Sequence, residues 1–342
     1  MNPLRPLPPA LVQVVGPTDG WILERLARTL ARRIPYADFV PWRPQPNGHA
    51  VLAYYVNYAL YANPSGMIDV GFYTHLDESH GFLARAQRMD CCVCMARTYA
   101  NWLTARGVHI VRHIPMGFDS YRYRPSLVLG VVGKLDHPRK GRHLVDRVRQ
   151  LPFVEVVATE GEWPEERLRE LYQRVDYVLI PATVEGGPLC LLEGLAMGRP
   201  VIAPEGVGLV PEFDESASII RYPRGDAEAL VARVTECYQA KLSRAQVVAD
   251  RDWDRWAEDH HHLFMKLMRE RGVPVPQPGR SFRFGMMREL EIPLTAKIEQ
   301  IEEVVNRSAR YLYYGRSQEA RAGLEEIVEQ CPSVVKLIRS IH

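Results

Sequence analysis

Two rhythms of apolar residues alternate along the chain. Short unbroken apolar runs are the mark of buried parallel strands. Stretches with apolar residues every three or four positions are the mark of amphipathic helices. The run LVQVV (11–15) leads through GPTDG (16–20) into WILERLARTLARRI, which has helical spacing. HAVLAYYV, DVGFYTH and DCCVCM are strand-like, YANWLTARG is a helix ended by Gly107, and VRHIPMG closes this half. The rhythm restarts at LVLGVVG (127–133). Helix GRHLVDRVRQL, strand FVEVVAT, helix PEERLRELYQRV and strand DYVLIPA follow. Next come helix PLCLLEGLAMG, strand PVIAP, strand SIIRYP and helix AEALVARVTECYQA, with Asp226 as its expected N-cap.

Strands alternating with helices imply parallel sheets covered on both faces. Because the pattern starts twice, two Rossmann-like domains are expected. Their ranges are 1–122 and 123–270, with a linker and helical extension over 271–342. The default ligand site is a cleft between them, at the carboxyl ends of the strands. GVPVPQPGRSFRFG (272–285) is proline-rich and reads as a linker or extended arm. Beyond it, PLTAKIEQIEEVVNRSARYLYYG and SQEARAGLEEIVEQCP read as two helices, and SVVKLIRSI as a third. The pair resembles one hairpin of a tetratricopeptide repeat. A lone repeat cannot bury its own face, so it is expected to pack on the body or on a partner.

Composition narrows the class. Of 342 residues, 46% are hydrophobic and 25% charged, the globular norm, which excludes global disorder. A net charge of +2 gives no footprint for nucleic acid. No apolar run approaches the ~18 residues of a membrane span. MNPLRPLPPA lacks the apolar core of a signal peptide, so a cytoplasmic protein is expected. Three of the six cysteines, Cys91, Cys92 and Cys94, fall in one strand-like run and read as reduced core thiols; the metal reading lacks a second ligand pair. His260, His261 and His262 point in different directions on a helix, which disfavours a joint metal site.

The candidate chemistry lies in EGGPLCLLEGLAMGRPVIAPEG (185–206). Glu185 and Glu193 flank a segment that reads as buried, and buried glutamates need partners. Gly186 and Gly187 let the backbone approach a ligand. The helix from about Leu189 offers free N–H groups to an anion. Two hydroxyl-binding carboxylates around an anion site suit a sugar nucleotide. The plainer reading makes Glu185 a loop carboxylate favouring the helix dipole and pairs Glu193 with an arginine. Spacing alone leaves both open.

PATVEGGPLCLLEGLAMGRPVIAP resembles the Glu-x7-Glu signature of GT-B glycosyltransferases of family 4. Three further segments are similar to that family, in the right order: GVVGKLDHPRKGRHLVDRV, VRHIPMGFDSYRYRP with Met116 in place of the usual asparagine, and VGLVPEF with IIRYPRGDAEALVARV. The resemblance covers roughly residues 110–240. It implies a GT-B architecture and a retaining, metal-independent transfer without a cofactor. The donor would be a nucleotide diphosphate sugar, UDP- or GDP-linked, and the acceptor a glycan, a lipid-linked glycan or a protein. By position, Lys134 and Lys140 would contact the diphosphate; most relatives carry arginine at the first, and lysine lacks its bidentate fork. Glu185 would bind the transferred sugar, Glu193 the ribose. Gly186, Gly187 and Pro188 would lie against the sugar, with Leu189 and Cys190 near the phosphates.

The N-terminal half matches less closely. DVGFYTHLDES resembles the strand ending in the family's active-site histidine, which assigns that role to His75, with His80 as runner-up and a surface histidine as the plain alternative. Gly16 and Gly20 sit where the family has a glycine-rich loop over the diphosphate, without the adjacent glycine pair. Asp19 either contacts an acceptor or turns the loop. The arginines from Arg97 to Arg124 read as a solvated face, with peripheral contact to an anionic membrane as the alternative. The C-terminal helices are candidates for joining subunits.

The competing class is a non-catalytic sugar-nucleotide-binding or scaffold protein of the same fold. The short first half and the helical tail favour it; the retained lysines and glutamates oppose it. An epimerase or phosphorylase of the same fold is a third reading. Glu185 and Glu193 mimic a glycosidase pair in sequence, but Glu193 is expected at the ribose, too far from the glycosidic carbon. A nicotinamide dehydrogenase lacks its G-x-G-x-x-G fingerprint.

Overall fold

Six parallel strands, β1 (Val12–Gly16), β2 (Ala37–Pro41), β3 (Leu52–Tyr55), β4 (Ile68–Tyr73), β5 (Cys91–Cys94) and β6 (Val111–His113), form the first sheet in the order β2-β1-β3-β4-β5-β6. Five more form the second: β7 (Leu127–Val131), β8 (Val154–Ala158), β9 (Tyr177–Leu179), β10 (Val201–Pro204) and β11 (Ile219–Tyr222), in the order β11-β10-β9-β7-β8. The computed structural model describes residues 10–45, 48–77, 81–213, 215–275, 282–286, 290 and 297–341. Helices α1 (Ile22–Arg33), α2 (Phe82–Arg88) and α3 (Arg97–Ala105) accompany the first sheet. The second has α4 (Arg142–Arg149), α5 (Glu165–Arg174), α6 (Leu189–Ala196) and α7 (Ala227–Ala245). Two parallel α/β domains are therefore present, as the alternating pattern predicts.

The described residues divide into two compact units. One holds residues up to Arg122 together with those from Ala249 onward; the other is Tyr123–Val248. Helix α8 (Trp253–Glu270) belongs to the first unit. Its apolar face explains this: Trp253, Trp256, Phe264 and Met268 are buried in one core with Val12, Val14, Tyr54 and Phe72 of the first sheet. The return is pinned at its start. The Phe118 N–H donates to Arg251 C=O at 2.8 Å and the Trp253 N–H to Phe118 C=O at 3.1 Å. A Cβ on Gly117 would stand 2.8 Å from the Asp252 carbonyl oxygen, so only glycine permits this approach.

The histidine run divides as the helical geometry requires. His260 and His261 face inward and His262 faces solvent. His260 meets the Tyr54 hydroxyl at 2.8 Å, and His261 meets that of Tyr36 at 2.7 Å. Burial pushes both imidazoles down to about 4, so both are neutral in the folded protein. The unfolded chain binds their protons first as pH falls. Stability should therefore drop progressively from about pH 6.5 towards about pH 4. Thermal unfolding across that range should show it, with a shallower slope in His260→Gln.

The cysteine run is a strand interior. Cys91, Cys92 and Cys94 are buried free thiols, pushed up to about 12 by desolvation, which keeps them protonated. The helical tail comprises α9 (Ile298–Tyr313), α10 (Ser317–Glu325) and α11 (Val334–Arg339). It builds its own core from residues such as Ile301, Leu312, Leu324 and Leu337, which Tyr121 of the body completes. Arg310 also bonds Asp38 of β2 at 2.9 Å. Among the described residues the hairpin is thus packed on its own unit. Parts of the proline-rich stretch and of the predicted helix before Lys297 lie outside the described residues.

Candidate active site

The order of the second sheet fixes where a ligand is expected. The chain leaves β7 for β8 on one side, then crosses back to β9 on the other, so β7 and β9 are neighbours with diverging exits. Ligands of open parallel sheets bind outside the carboxyl ends of strands at such a reversal. The connections bordering it are 132–141 after β7 and 180–188 after β9. They carry Lys134, Lys140, Glu185, Gly186 and Gly187.

These two connections are stitched together. The Thr183 N–H and hydroxyl both donate to the Arg139 carbonyl, at 2.8 and 3.2 Å. The Arg139 guanidinium reaches the Val184 carbonyl at 3.4 Å. Gly141, left-handed at φ 74°, passes so close that a Cβ there would lie 2.1 Å from the Pro181 carbonyl oxygen. The stitching carries the Lys140 ammonium onto Oε2 of Glu185 in a hydrogen-bonded ion pair. The two side chains are 25% and 19% exposed, so the pair lies at the surface's edge, open to a ligand. Alanine at Gly141 must both adopt a positive φ and push the connections apart. Gly141→Ala should destabilise the protein by at least ~1 kcal/mol in denaturant unfolding.

Lys134 stands apart from this contact, 62% exposed and 3.8 Å from Glu162. Gly186 has open space where a Cβ would stand, whereas a Cβ on Gly187 would meet the Leu209 side chain at 3.6 Å in ordinary contact. Gly208 supports that loop: a Cβ there would come within 3.0 Å of the Gly186 carbonyl oxygen and 2.9 Å of Pro188. Pro188 precedes α6 without a side-chain cap, so the amides of Leu189 and Cys190 head the helix unmet by helical carbonyls. The Leu189 side chain is exposed, whereas the Cys190 thiol is buried and raised to about 12, chiefly by desolvation.

Glu193 meets a tyrosine rather than the arginine of the plainer reading. Its Oε2 accepts a 2.5 Å hydrogen bond from the Tyr172 hydroxyl on α5. Burial, and then this bond, push the Tyr172 hydroxyl well up, so it remains a donor. Glu193 and Tyr172 border a cavity of about 360 Å³ between α5 and α6, with Glu165, Leu168, Arg169 and Met197. Tyr172 is a site residue that the sequence hides, because an aromatic on the apolar face of α5 reads as core. Thr183 and Gly141 are hidden likewise, since their role is to join connections distant in sequence.

In the first unit, His75 follows β4 and is exposed, with Nδ1 3.0 Å from the Thr74 hydroxyl and its ring edge-on to Tyr58. His80 lies outside the described residues. Gly16 has a packing role: a Cβ would stand 2.6 Å from Cβ of Ala27, so glycine lets α1 close on β1. Gly20 is left-handed at φ 76°, and its N–H donates to Glu24 at 2.7 Å. Asp19 turns the loop by accepting from the Trp21 N–H at 3.0 Å. Among the described residues, no cluster of His, Cys, Asp or Glu is arranged to hold a metal ion. None of the described helices is long and apolar enough to cross a membrane.

Residues 117–240, which include both connections and both glutamates, match the family model described as glycosyl transferases group 1. The chain is 29% identical over 161 residues to the D-inositol 3-phosphate glycosyltransferase of Nocardiopsis dassonvillei, covering 44% of this chain and 38% of that one. It is 30% identical over 94 residues to an amylovoran biosynthesis glycosyltransferase of Erwinia amylovora, covering 26% and 23%. The matched stretch spans well under half the length of these relatives. Among solved structures, the Anabaena protein HepE, determined with UDP and glucose, aligns over 75% of this chain and 99% of its own at 14% identity and a TM-score of 0.33. A sucrose-phosphate synthase from Thermosynechococcus elongatus aligns over 76% and 99%, at 16% identity and the same TM-score.

Proposed function

We propose that the chain is a retaining glycosyltransferase of the GT-B type. It moves a hexose from a nucleoside diphosphate, UDP or GDP, to a hydroxyl of a glycan, a lipid-linked glycan or a protein, without a metal ion. The observation carrying this reading is the meeting of Lys140 and Glu185 at the β7/β9 reversal, inside the segment that matches the group 1 model. Cation and carboxylate there have complementary tasks. An incoming diphosphate competes with Glu185 for the Lys140 ammonium, and the amides heading α6 offer a second anion contact. Glu185, released, accepts hydrogen bonds from the hydroxyls of the transferred sugar. As the glycosidic bond breaks, negative charge grows on the departing diphosphate, and Lys140 stabilises it more than it stabilised the intact donor. Glu193, held by Tyr172, keeps one carboxylate oxygen for the ribose hydroxyls. His75 keeps the active-site role that the family resemblance gives it, and Lys134 adds charge from the rim.

The test is thermal unfolding with UDP, GDP, ADP and TDP. Ligand at ~100 times its dissociation constant should add about 2.7 kcal/mol to the wild type. One base should stand out, and Lys140→Ala should lose the response. A flat response to every nucleotide would move the protein to the scaffold reading.

A further inference from the structure

At the carboxyl end of β2 the backbone turns through Trp42 at φ 61°. The Arg43 N–H donates back to the Pro41 carbonyl at 2.7 Å. A hydrogen bond spanning one residue of positive φ defines the rare, strained hand of γ-turn. A bulky side chain in that region is an outlier; glycine or asparagine would relieve it. Burial does not explain the tryptophan, since it is 51% exposed.

The exposed ring is nevertheless held in place. The Trp42 N–H extends the β1–β2 ladder by donating to the Gly16 carbonyl at 2.8 Å. Its indole Nε1 donates to the Thr18 hydroxyl at 3.1 Å. Just beyond, Gln45 is gripped by the buried Gln13, through Nε2 to the Gln45 carbonyl at 2.5 Å and from the Gln45 N–H to Oε1 at 2.8 Å. Thr18 belongs to the connection after β1, and three residues on Trp21 is 70% exposed. That connection leaves the first sheet at its own reversal, between β1 and β3.

Strain retained at an exposed aromatic, at the ligand-binding end of a parallel sheet, points to function. We propose that Trp42 is a carbohydrate platform on which a pyranose ring of the acceptor stacks. Its role as acceptor site rests on the glycosyltransferase reading above; its binding of sugar does not. One face of a pyranose is a patch of C–H bonds, weakly positive, and it matches the negative face of an indole. The ring's hydroxyls then point to the rim, where Thr18 and Asp19 are polar. A lipid surface is the competing occupant, because Arg25, Arg28, Arg32 and Arg43 lie close in sequence to the two tryptophans. The fixed indole opposes it. An interfacial tryptophan keeps its polar edge for the headgroup level and requires no strained backbone, whereas the Trp42 N–H is already engaged by Thr18.

Saturation-transfer NMR of the full chain would test this with the methyl pyranosides of glucose, galactose and mannose and with maltotriose. At least one probe should receive saturation at its ring C–H protons, and Trp42→Asn should reduce that at least fivefold. The variant's Tm should stay level or rise, since asparagine accepts positive φ, and its thermal response to UDP or GDP should match the wild type. Equal transfer in Trp42→Asn, or no transfer to any probe from the wild type, would overturn the platform. So would a lowered Tm, which would make Trp42 a structural residue. Loss of pelleting with phosphatidylglycerol vesicles in Trp42→Asn, with sugar transfer intact, would assign the surface to lipid instead. Sugar binding by a wild type that ignores every nucleotide would leave the platform standing and remove the glycosyltransferase reading.

Discussion

Glu185→Ala should cut sugar transfer at least ~100-fold, and Lys140→Ala should do the same, the scale set by removing one group that stabilises developing charge. The two should fail in different ways. Under the proposed scheme Lys140→Ala loses the cation that would face the diphosphate, so nucleotide binding should weaken along with turnover. Glu185→Ala would lose the carboxylate proposed to accept from the sugar hydroxyls but would leave Lys140 free for the diphosphate. Its affinity for the bare nucleotide should hold or tighten while turnover falls. The pair bond itself is not what folding depends on, because both side chains remain partly exposed. Unfolding midpoints of both variants should therefore stay near the wild type. Initial rates with the nucleotide sugar that the thermal screen selects, set beside nucleotide titrations, would check this. Near-normal turnover in both would remove the site from this location.

The strands of both sheets were legible because parallel strands buried on two faces read as unbroken apolar runs. CCVC of β5 and VIAP of β10 are wholly buried. The exception is β2, ADFVP. It is an edge strand with Asp38 and Pro41 exposed, so its polar positions break the run. Helix α2 has seven residues and no side-chain cap, too little for periodicity to register. The site divides in the same way. Lys140 and Glu185 announce themselves through a motif and through glycines around a strand end. The Tyr172–Glu193 bond joins two helices and carries no local signal. The membership of α8 has the same origin. Helix α8 follows α7 closely, and only the partners of Trp256, His260 and Phe264 on the first sheet reveal which unit it completes.

Removing the carboxylate of Asp254 should destabilise the first unit by about 3–5 kcal/mol, the effect of breaking a buried ion pair from one side. Asp254 is at the start of α8 and 3% exposed. Its Oδ1 accepts from Nε of Arg33 on α1 at 3.0 Å, and its Oδ2 from the Tyr121 hydroxyl at 2.5 Å. Arg33, also buried, meets Glu302 of α9 at 2.5 Å. One carboxylate thus sits where three parts of the chain converge: the first Rossmann helix, the returning α8 and the segment before residue 123. In Asp254→Ala the Arg33 charge keeps Glu302 but loses Asp254, and the Tyr121 hydroxyl loses its bond to the Asp254 carboxylate. At about 2–4 °C per kcal/mol for a unit of this size, Tm should fall on the order of 10 °C. The triple variant Arg33→Met, Asp254→Leu and Glu302→Gln, which leaves no stranded carboxylate at Glu302, separates two causes. If the loss comes from a stranded charge, the triple variant should recover most of the stability, since apolar replacements of a buried pair are often neutral. If it comes from lost orientation of α8, the triple variant should remain as unstable as the single one. Denaturant unfolding of the two variants decides between them. Because Lys140, Glu185 and Glu193 belong to the other unit, the nucleotide response proposed for them should survive below the transition in both.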